Sequence, residues 1–546
     1  MEFLPVLAMA MAISLVVIPL MVRHAVRLGL IDQPDPRKVH HLPIPRVGGA
    51  GIVLGALIPV GVALRDEPLM LTYILGAIVL TLFGLWDDRK ELGHYVKFIG
   101  QFAAVVPVVY VGDLYVTHFP FVGEGVIPEA TARAFTLIAL VGMINAMNHS
   151  DGLDGLAGGE ALLSLGVLGF LFFLSGASPA LIVVVATIGG VFGFLRYNTH
   201  PAGVFMGDAG SQFLGFTIGF LLILLTQQAE PSLSPAVVLL IVGLPVADIL
   251  VVFWKRATSG RNWFRATRNH VHHRLLQLGF LHHEAVILIY LIQLLFLVAA
   301  IWLRHAPDAY LLGVYLGVCL VLFGGMSLAE RRAWRFEPIW RGQGWMSAGG
   351  ADGFHWRVRA PRRFLEYGIP LYLIASSLRV DKIPVDAATT ASVLFAVLLL
   401  ARLSNLRLHA SVRSALVFAA STVVIYLSHD YLELPALAGM VEGCVLALFA
   451  VSIVAAMRYS PRRRKREFVP TAMDFLVVIA LVLAIVAQGN YLEFGVPGLA
   501  GMIFATGVVF YGCELLITER REHRHLLDLA TLLAMAILTT KGLLTV

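Results

Sequence analysis

Four polar clusters interrupt an otherwise apolar chain, and their residue types suit work on phosphate. The first is Asp87-Asp88-Arg89-Lys90-Glu91, which closes an apolar run and is followed by Lys97. Two adjacent carboxylates at a hydrocarbon boundary are costly unless paired, hydrated or bound to a cation. With a lysine nearby they fit a phosphate site run by a metal or a proton acceptor. Alone, they read equally well as a solvated helix end. The second cluster runs from Asn145 to Gly159 and interleaves Asn145, Asn148, Asp151 and Asp154 with glycines. Amide and carboxylate oxygens are the ligands Mg²⁺ requires, and glycines let backbone amides approach a phosphate or a base edge. The third is Gly207-Asp208-Ala209-Gly210-Ser211, preceded by Arg196, Tyr197 and Asn198. Asp208 is either a helix N-terminal acid, worth about 0.3–1 kcal/mol, or a further metal carboxylate. The fourth is His270-Val271-His272-His273-Arg274, in a stretch rich in Lys and Arg and free of acids. So many cations repel a divalent metal. An anionic partner held by Arg268, His272 and His273 is the better inference. His282-His283 reads as loop.

The elements that must carry these clusters follow from composition. The 546 residues are 58% hydrophobic and 14% charged, with a mean hydropathy of +0.82. Such a chain cannot cover a compact globule with polar groups, which excludes a soluble enzyme, a secreted disulfide scaffold and a disordered chain. Cys319, Cys444 and Cys513 stand singly in apolar stretches and read as small hydrophobes. The net charge is +6, but the basic residues gather at the ends of apolar segments, a pattern of topology control rather than nucleic-acid binding.

Hydropathy predicts an all-α polytopic membrane protein. Eleven spans are expected near 3–22, 47–64, 69–86, 98–112, 134–147, 161–178, 180–195, 213–227, 235–254, 285–303 and 309–328. About seven more are expected near 364–378, 387–401, 415–428, 436–457, 471–488, 497–517 and 528–546. The first segment is followed at once by Arg23 and Arg27, which reads as a retained helix that starts outside, not a cleaved leader. Counting alternately from it puts loops 23–46, 255–274, 329–363, 458–466 and 520–524 on the cytoplasmic side, and all of these are basic. Loops 228–234 and 429–435 fall opposite and hold no Lys or Arg. All four polar clusters come out on the cytoplasmic face. Charge neutralisation around a diphosphate by Mg²⁺ and basic side chains stabilises phosphoryl transfer. The residues alone therefore point to a membrane-embedded phosphotransfer enzyme acting on nucleotide or lipid phosphates.

The motif order resembles the polyprenyl-phosphate N-acetylhexosamine-1-phosphate transferase superfamily. The residues that carry the likeness are Asp32-Gln33-Pro34, Arg37-Lys38-Val39-His40, Pro43 to Gly49, Asp87-Asp88-Arg89, Asn145 to Gly159, Gly207 to Ser211 and His270 to Arg274. The Arg37–Gly49 stretch and the H-x-H-H form are similar to the WecA/TagO branch more than to the related MraY peptidoglycan branch. The likeness covers residues 1–328. Departures from the pattern fall at His149, Asn262-Trp263 and Thr267, where a hexosamine could be read.

The resemblance implies transfer of an N-acetylhexosamine-1-phosphate, GlcNAc-1-phosphate first, from a UDP-sugar to undecaprenyl phosphate, with release of UMP. This would be the priming step of cell-surface glycan synthesis, in a bacterial inner membrane with the active site facing the cytoplasm. By the same resemblance, Asn148 and Asp208 would ligate Mg²⁺, with Mn²⁺ as the other candidate ion. Asp87 would be the base and Asp88 would support it. Lys97 would hold phosphate, Asp151 would be substrate-binding and Asp154 would contact uracil. Arg268, His272 and His273 would close over the diphosphate, and His270 would be substrate-binding. Direct attack and an aspartyl-phosphate intermediate stay open, as does a homodimer. The alternatives are another UDP-N-acetylated donor or the peptidoglycan precursor, and, in another class, an ion-coupled transporter. Residues 329–546 repeat none of the motifs and read as a membrane extension of unassigned role.

Overall fold

In hydrocarbon every backbone N–H and C=O must be satisfied within its own segment, so apolar runs of this length become helices. The computed structural model describes residues 3–34, 42–122, 127–230, 232–258, 269–336, 355–380, 383–403, 410–430, 436–459, 499–519 and 524–545. Their order begins α1 (Phe3–Leu28), β1 (Ile31–Asp32), β2 (Ile44–Pro45), α2 (Gly48–Ala63), α3 (Pro68–Lys90) and α4 (His94–Tyr110). It continues with α5 (Glu129–Ser150), α6 (Leu156–Ser175), α7 (Ser178–Asn198) and α8 (Gly207–Leu224), which ends in a π turn, Leu225–Ala229. Then come α9 (Val237–Ile241), α10 (Gly243–Thr258), α11 (Val271–Gln277), α12 (His282–Leu303) and α13 (Asp308–Arg331). The two strands form a short antiparallel hairpin. Beyond them lie α14 (His355–Arg379), α15 (Val385–Leu403), α16 (Ala410–Asp430), α17 (Ala436–Tyr459), α18 (Leu499–Glu519) and α19 (Arg524–Thr545).

Among the described residues nine helices are long and apolar enough to cross a membrane, and shorter apolar helices accompany them. This is a multi-pass membrane protein. Each of the eleven spans expected before residue 328 coincides with helix, as do six of the seven after it. The span near 471–488 lies outside the described residues. The described residues fall into two compact units, one within Met9–Arg341 and Pro470–Leu476 and the other within Met1–Ala8, Gly342–Val469 and Val477–Val546.

Helix α8 is the centre of the first unit. Every residue from Ala209 to Leu224 is buried, as expected for a helix that is apolar all round. Lipid tails are as apolar as the helices, so association rests on close van der Waals packing, and small residues permit it. A Cβ added at Gly84 of α3 would lie 2.4 Å from Ala209 Cα, and one at Gly49 of α2 would lie 2.3 Å from Gly210 N. These two contacts draw α2 and α3 onto the first turn of α8. One helical turn beyond Gly84, Asp88 is thereby carried to the N-terminus of α8. Farther along the same pair, the Tyr73 and Phe216 rings stack at 5.6 Å and the Tyr73 hydroxyl lies 2.9 Å from Thr217 Oγ1.

The span expected at 235–254 is broken into α9 and α10. Gly243 and Pro245 interrupt the helical ladder, and the freed backbone groups are met by buried side chains. Gln293 Oε1 accepts from Leu244 N at 3.1 Å, while Gln293 Nε2 and Ser164 Oγ each donate to Ile241 O at 2.9 Å. His282 and His283, read from sequence as loop, open α12 instead. Glu284 explains the start: its carboxylate accepts the Leu281 N–H at 2.7 Å and closes the first turn.

In the second unit α14 packs on α17 and α19, and α16 on α18. Among its buried polar contacts, the Tyr372 hydroxyl donates to Glu442 at 2.7 Å.

Candidate active site

The first two acids and the lysine of the opening cluster meet Asp208. Asp87 and Asp88 end α3, Lys97 begins α4 and Asp208 begins α8. Lys97 Nζ is ion-paired with Asp87 and donates to Asp208 Oδ2 at 2.9 Å. Leu92 N–H donates to the other oxygen of Asp87 at 2.5 Å. The ammonium therefore joins two carboxylates that would otherwise repel each other.

Asp88 has a different task. It is buried, and its carboxylate accepts the N–H groups of Asp208 at 2.9 Å and Ala209 at 3.3 Å. These are orphan donors of the first turn of α8. Asp88 is thus the cap that fixes where Asp208 points, which the pair of adjacent acids in the sequence did not reveal.

Beside these groups lies a cavity of about 820 Å³ whose lining includes Asp88, Asp151, Asp154, Asp208, His273 and His282. The loop from Asp151 to Gly155, between α5 and α6, forms one wall. It is held from behind: Gly155 N donates to Asn198 Oδ1 at 2.8 Å, and Tyr290 donates its hydroxyl to Gly155 O at 2.6 Å. Burial, then the charges of Asp208 and Asp154, push Asp151 up to about 7, against a smaller opposing pull from Arg46. Burial acts the same way on Asp154. There the hydrogen bonds from His200 Nδ1 (2.7 Å) and Ala202 N (3.1 Å), with the charge of His282, win and hold it below the usual carboxylate range.

The histidine motif closes another side. His272 packs against Gly152 so tightly that a Cβ there would come within 2.1 Å of Nε2. Burial, reinforced by the neighbouring histidines, keeps His272 well below its ordinary pKa, so it is neutral at pH 7. His273 faces the cavity. His270 is buried, and its Nδ1 lies 2.7 Å from Asp248.

Asn148, at the end of α5, is half-buried, and its backbone carbonyl accepts from Asp151 N at 3.3 Å. Asn145 points elsewhere. Its amide donates to Gln101 and to Val141 O, a contact between helices rather than a ligand position. Arg268 lies outside the described residues, as do Asn262, Trp263, Thr267 and the Arg37–His40 stretch.

Comparison with known proteins bears on the same residues. Residues 70–226 match glycosyl transferase family 4. A probable undecaprenyl-phosphate N-acetylglucosaminyl 1-phosphate transferase of Bacillus subtilis (strain 168) is 33% identical over 295 residues, 54% of this chain and 82% of that protein. Undecaprenyl-phosphate alpha-N-acetylglucosaminyl 1-phosphate transferases of Salmonella typhi and Escherichia coli (strain K12) are 29% and 30% identical over 320 residues, each covering 57% of this chain and 86% of the relative. The chain belongs to this family.

Within this family 4 protein, the matched segment contains Asp87, Asp88, Lys97, Asn148, Asp151, Asp154 and Asp208, and it ends before the histidine motif. Sequence reading missed four residues of the site. His200 and His282 flank Asp154 with rings stacked at 4.2 Å. Arg46 is ion-paired with Asp32, and both line the cavity. Asp248 carried a usable signal, a lone carboxylate in an apolar run. The histidines carried none, because only the fold brings them to Asp154.

Proposed function

We propose that this protein transfers N-acetylglucosamine-1-phosphate from UDP-GlcNAc to undecaprenyl phosphate and releases UMP, with Mg²⁺ as cofactor. The observation that carries this reading is the ion cluster of Asp87, Lys97 and Asp208 at the edge of a cavity walled by Asp151, Asp154 and His273. A volume of about 820 Å³ falls within the range of roughly 300–1,000 Å³ typical of small-molecule sites. The acceptor's tail has apolar surface at hand. Trp86, Tyr95, Ile99 and Phe102 are exposed on α3 and α4, next to Asp87 and Lys97.

The donor set suits the cofactor. Asp208 and Asn148 offer a carboxylate and an amide oxygen, the hard ligands Mg²⁺ takes, and Lys97 marks a point between two acids where positive charge is favoured. Asp208 and Asn148 would hold the ion. When bound, Mg²⁺ neutralises charge on the diphosphate. Asp87 then serves as the base that keeps the lipid phosphate deprotonated. An oxygen of that phosphate forms a bond to the sugar-bearing phosphorus, and the bond from that phosphorus to the bridging oxygen breaks, so UMP departs. Lys97 and His273 supply hydrogen bonds to phosphate oxygens, and Asp88 holds Asp208 in line. Neutral His272, seated on Gly152, supports the loop that carries Asp151 and Asp154.

By this reading the site faces the cytoplasm of a bacterial inner membrane, with the N-terminus outside. Residues 1–328 form the transferase core and 329–546 an extension. The core's contacts run past 328: Arg274 grips Glu330, and Phe336 N donates to Leu278 O at 2.7 Å. The test is UMP release by purified protein with Mg²⁺, undecaprenyl phosphate and a panel of UDP-sugars. Release with UDP-GlcNAc is expected. Activity only with another donor would move the substrate assignment, and no UMP from any donor would overturn the reading.

A further inference from the structure

Asp248 sits in the apolar run of α10 and is buried at 7% exposure. A carboxylate in such a place is expensive and is kept where it has work to do. Both of its oxygens are used. Oδ2 lies 2.7 Å from His270 Nδ1, and Oδ1 accepts the Val271 N–H at 2.9 Å. A carboxylate has no proton to give, so Nδ1 of His270 carries the hydrogen and Nε2 is left bare in the neutral ring. The ring cannot turn freely, because it stacks on His149 at 5.2 Å and on His272 at 5.8 Å. From the middle of α11, Arg274 makes a two-point contact with Glu330, at 2.6 and 3.1 Å. The short helix is thus held at its start and at its middle.

We propose that Asp248 is a positioning residue: it fixes the tautomer and orientation of His270 and the start of α11, so that His272 stays seated on Gly152 and His273 meets the diphosphate in one arrangement. This rests on the transferase reading above. An anchor for α11 alone would need one acceptor for Val271. The second oxygen, used on a ring of the histidine motif, is what marks the further role. Carboxylates that orient a functional imidazole act in this way in many sites.

The test separates anchoring from orientation. Asp248→Asn keeps the size and one acceptor oxygen for Val271 N–H, but its NH₂ faces Nδ1 and reverses the tautomer. Turnover should fall roughly 10–100-fold, the usual loss when such an orienting partner is removed. KM for UDP-GlcNAc and the melting temperature should stay close to wild type. In a His270→Ala background the same substitution should cost nothing more, since groups acting as a unit are not additive. Near-normal turnover of Asp248→Asn, or penalties that multiply in the double variant, would overturn the assignment. A second measurement needs no turnover: ¹⁵N-histidine spectra of the full-length protein, with the His270 signal identified by its loss in His270→Ala. Wild type should show Nδ1–H, and Asp248→Asn should show Nε2–H. An Nε2–H signal in wild type overturns the proposal. If wild-type protein releases no UMP from any donor, the transferase reading fails, and the spectrum still decides the role of Asp248.

Discussion

Replacing Asp88 by Ala tests whether this acid acts on the substrate or on the helix. Its carboxylate accepts two N–H groups at the first turn of α8, Asp208 at 2.9 Å and Ala209 at 3.3 Å, and it is 6% exposed. Removing it strands two first-turn donors, one buried and one part-buried. Each costs about 1–3 kcal/mol when nothing replaces the acceptor, and the longer contact belongs at the low end of that range. A loss of about 2–4 kcal/mol follows, somewhat above the roughly 1 kcal/mol of an ordinary N-cap. Asp88→Asn keeps one accepting oxygen and turns an NH₂ toward the other donor, so it should lose about half as much. Asp87→Asn gives the contrast. It removes a charge beside Lys97 but strands no helix donor, so transfer should fall by about 10²-fold or more with little change in melting. The assays are thermal unfolding in detergent and UMP release at a range of Mg²⁺ concentrations. Asp88→Ala should melt several degrees lower and need more Mg²⁺, because Asp208 is no longer held in line. Unchanged melting of Asp88→Ala with abolished turnover would refute the capping argument and give the carboxylate a direct part in the reaction.

Three further outcomes follow from the same structure. Gly152→Ala must push His272 away, since the added methyl would lie 2.1 Å from Nε2; UMP release should drop at least tenfold, and an active variant would mean the loop and α11 move apart freely. Burial keeps Asp151 protonated up to about 7 when folded, against an ordinary 3.8 for an aspartate, so its contribution to stability is full below pH 3.8, is lost as pH rises through about 7 and is level above that. Asp151→Asn cannot ionise; melting in EDTA should show it gaining on wild type from pH 5 to pH 8, and parallel curves would contradict the shift. A chain ending at 341 keeps Glu330 and Phe336 on α11 and its following turn, whereas one ending at 328 cuts α13; membrane expression and UMP release should survive in the first and fail in the second.

Much of the fold was legible because a bilayer imposes a length and polarity rule that acts residue by residue. Apolar runs near 20 residues gave the helices, and the break between α9 and α10 went unforeseen, because Gln293, far along the chain, satisfies it in a way that hydropathy cannot see. The chemistry of the site was legible for a similar reason. Acids and histidines at span ends are costly beside hydrocarbon, so Asp87, Asp154, Asp208 and His273 stood out as candidates by type and position.

What each residue does was decided in three dimensions. Two neighbouring aspartates look alike in sequence, yet one meets Lys97 and the other caps α8, because the glycine-mediated contact at Gly84 sets the depth at which α3 meets α8. Likewise, Asp248 and His270 are 22 positions apart, and His200 and His282 reach Asp154 from separate elements. Local polarity and spacing are properties of the chain itself, whereas such pairings depend on which helices touch and at what height. The sequence by itself determined that phosphate chemistry is done at a membrane. Packing around α8 decided which side chains meet at the candidate site.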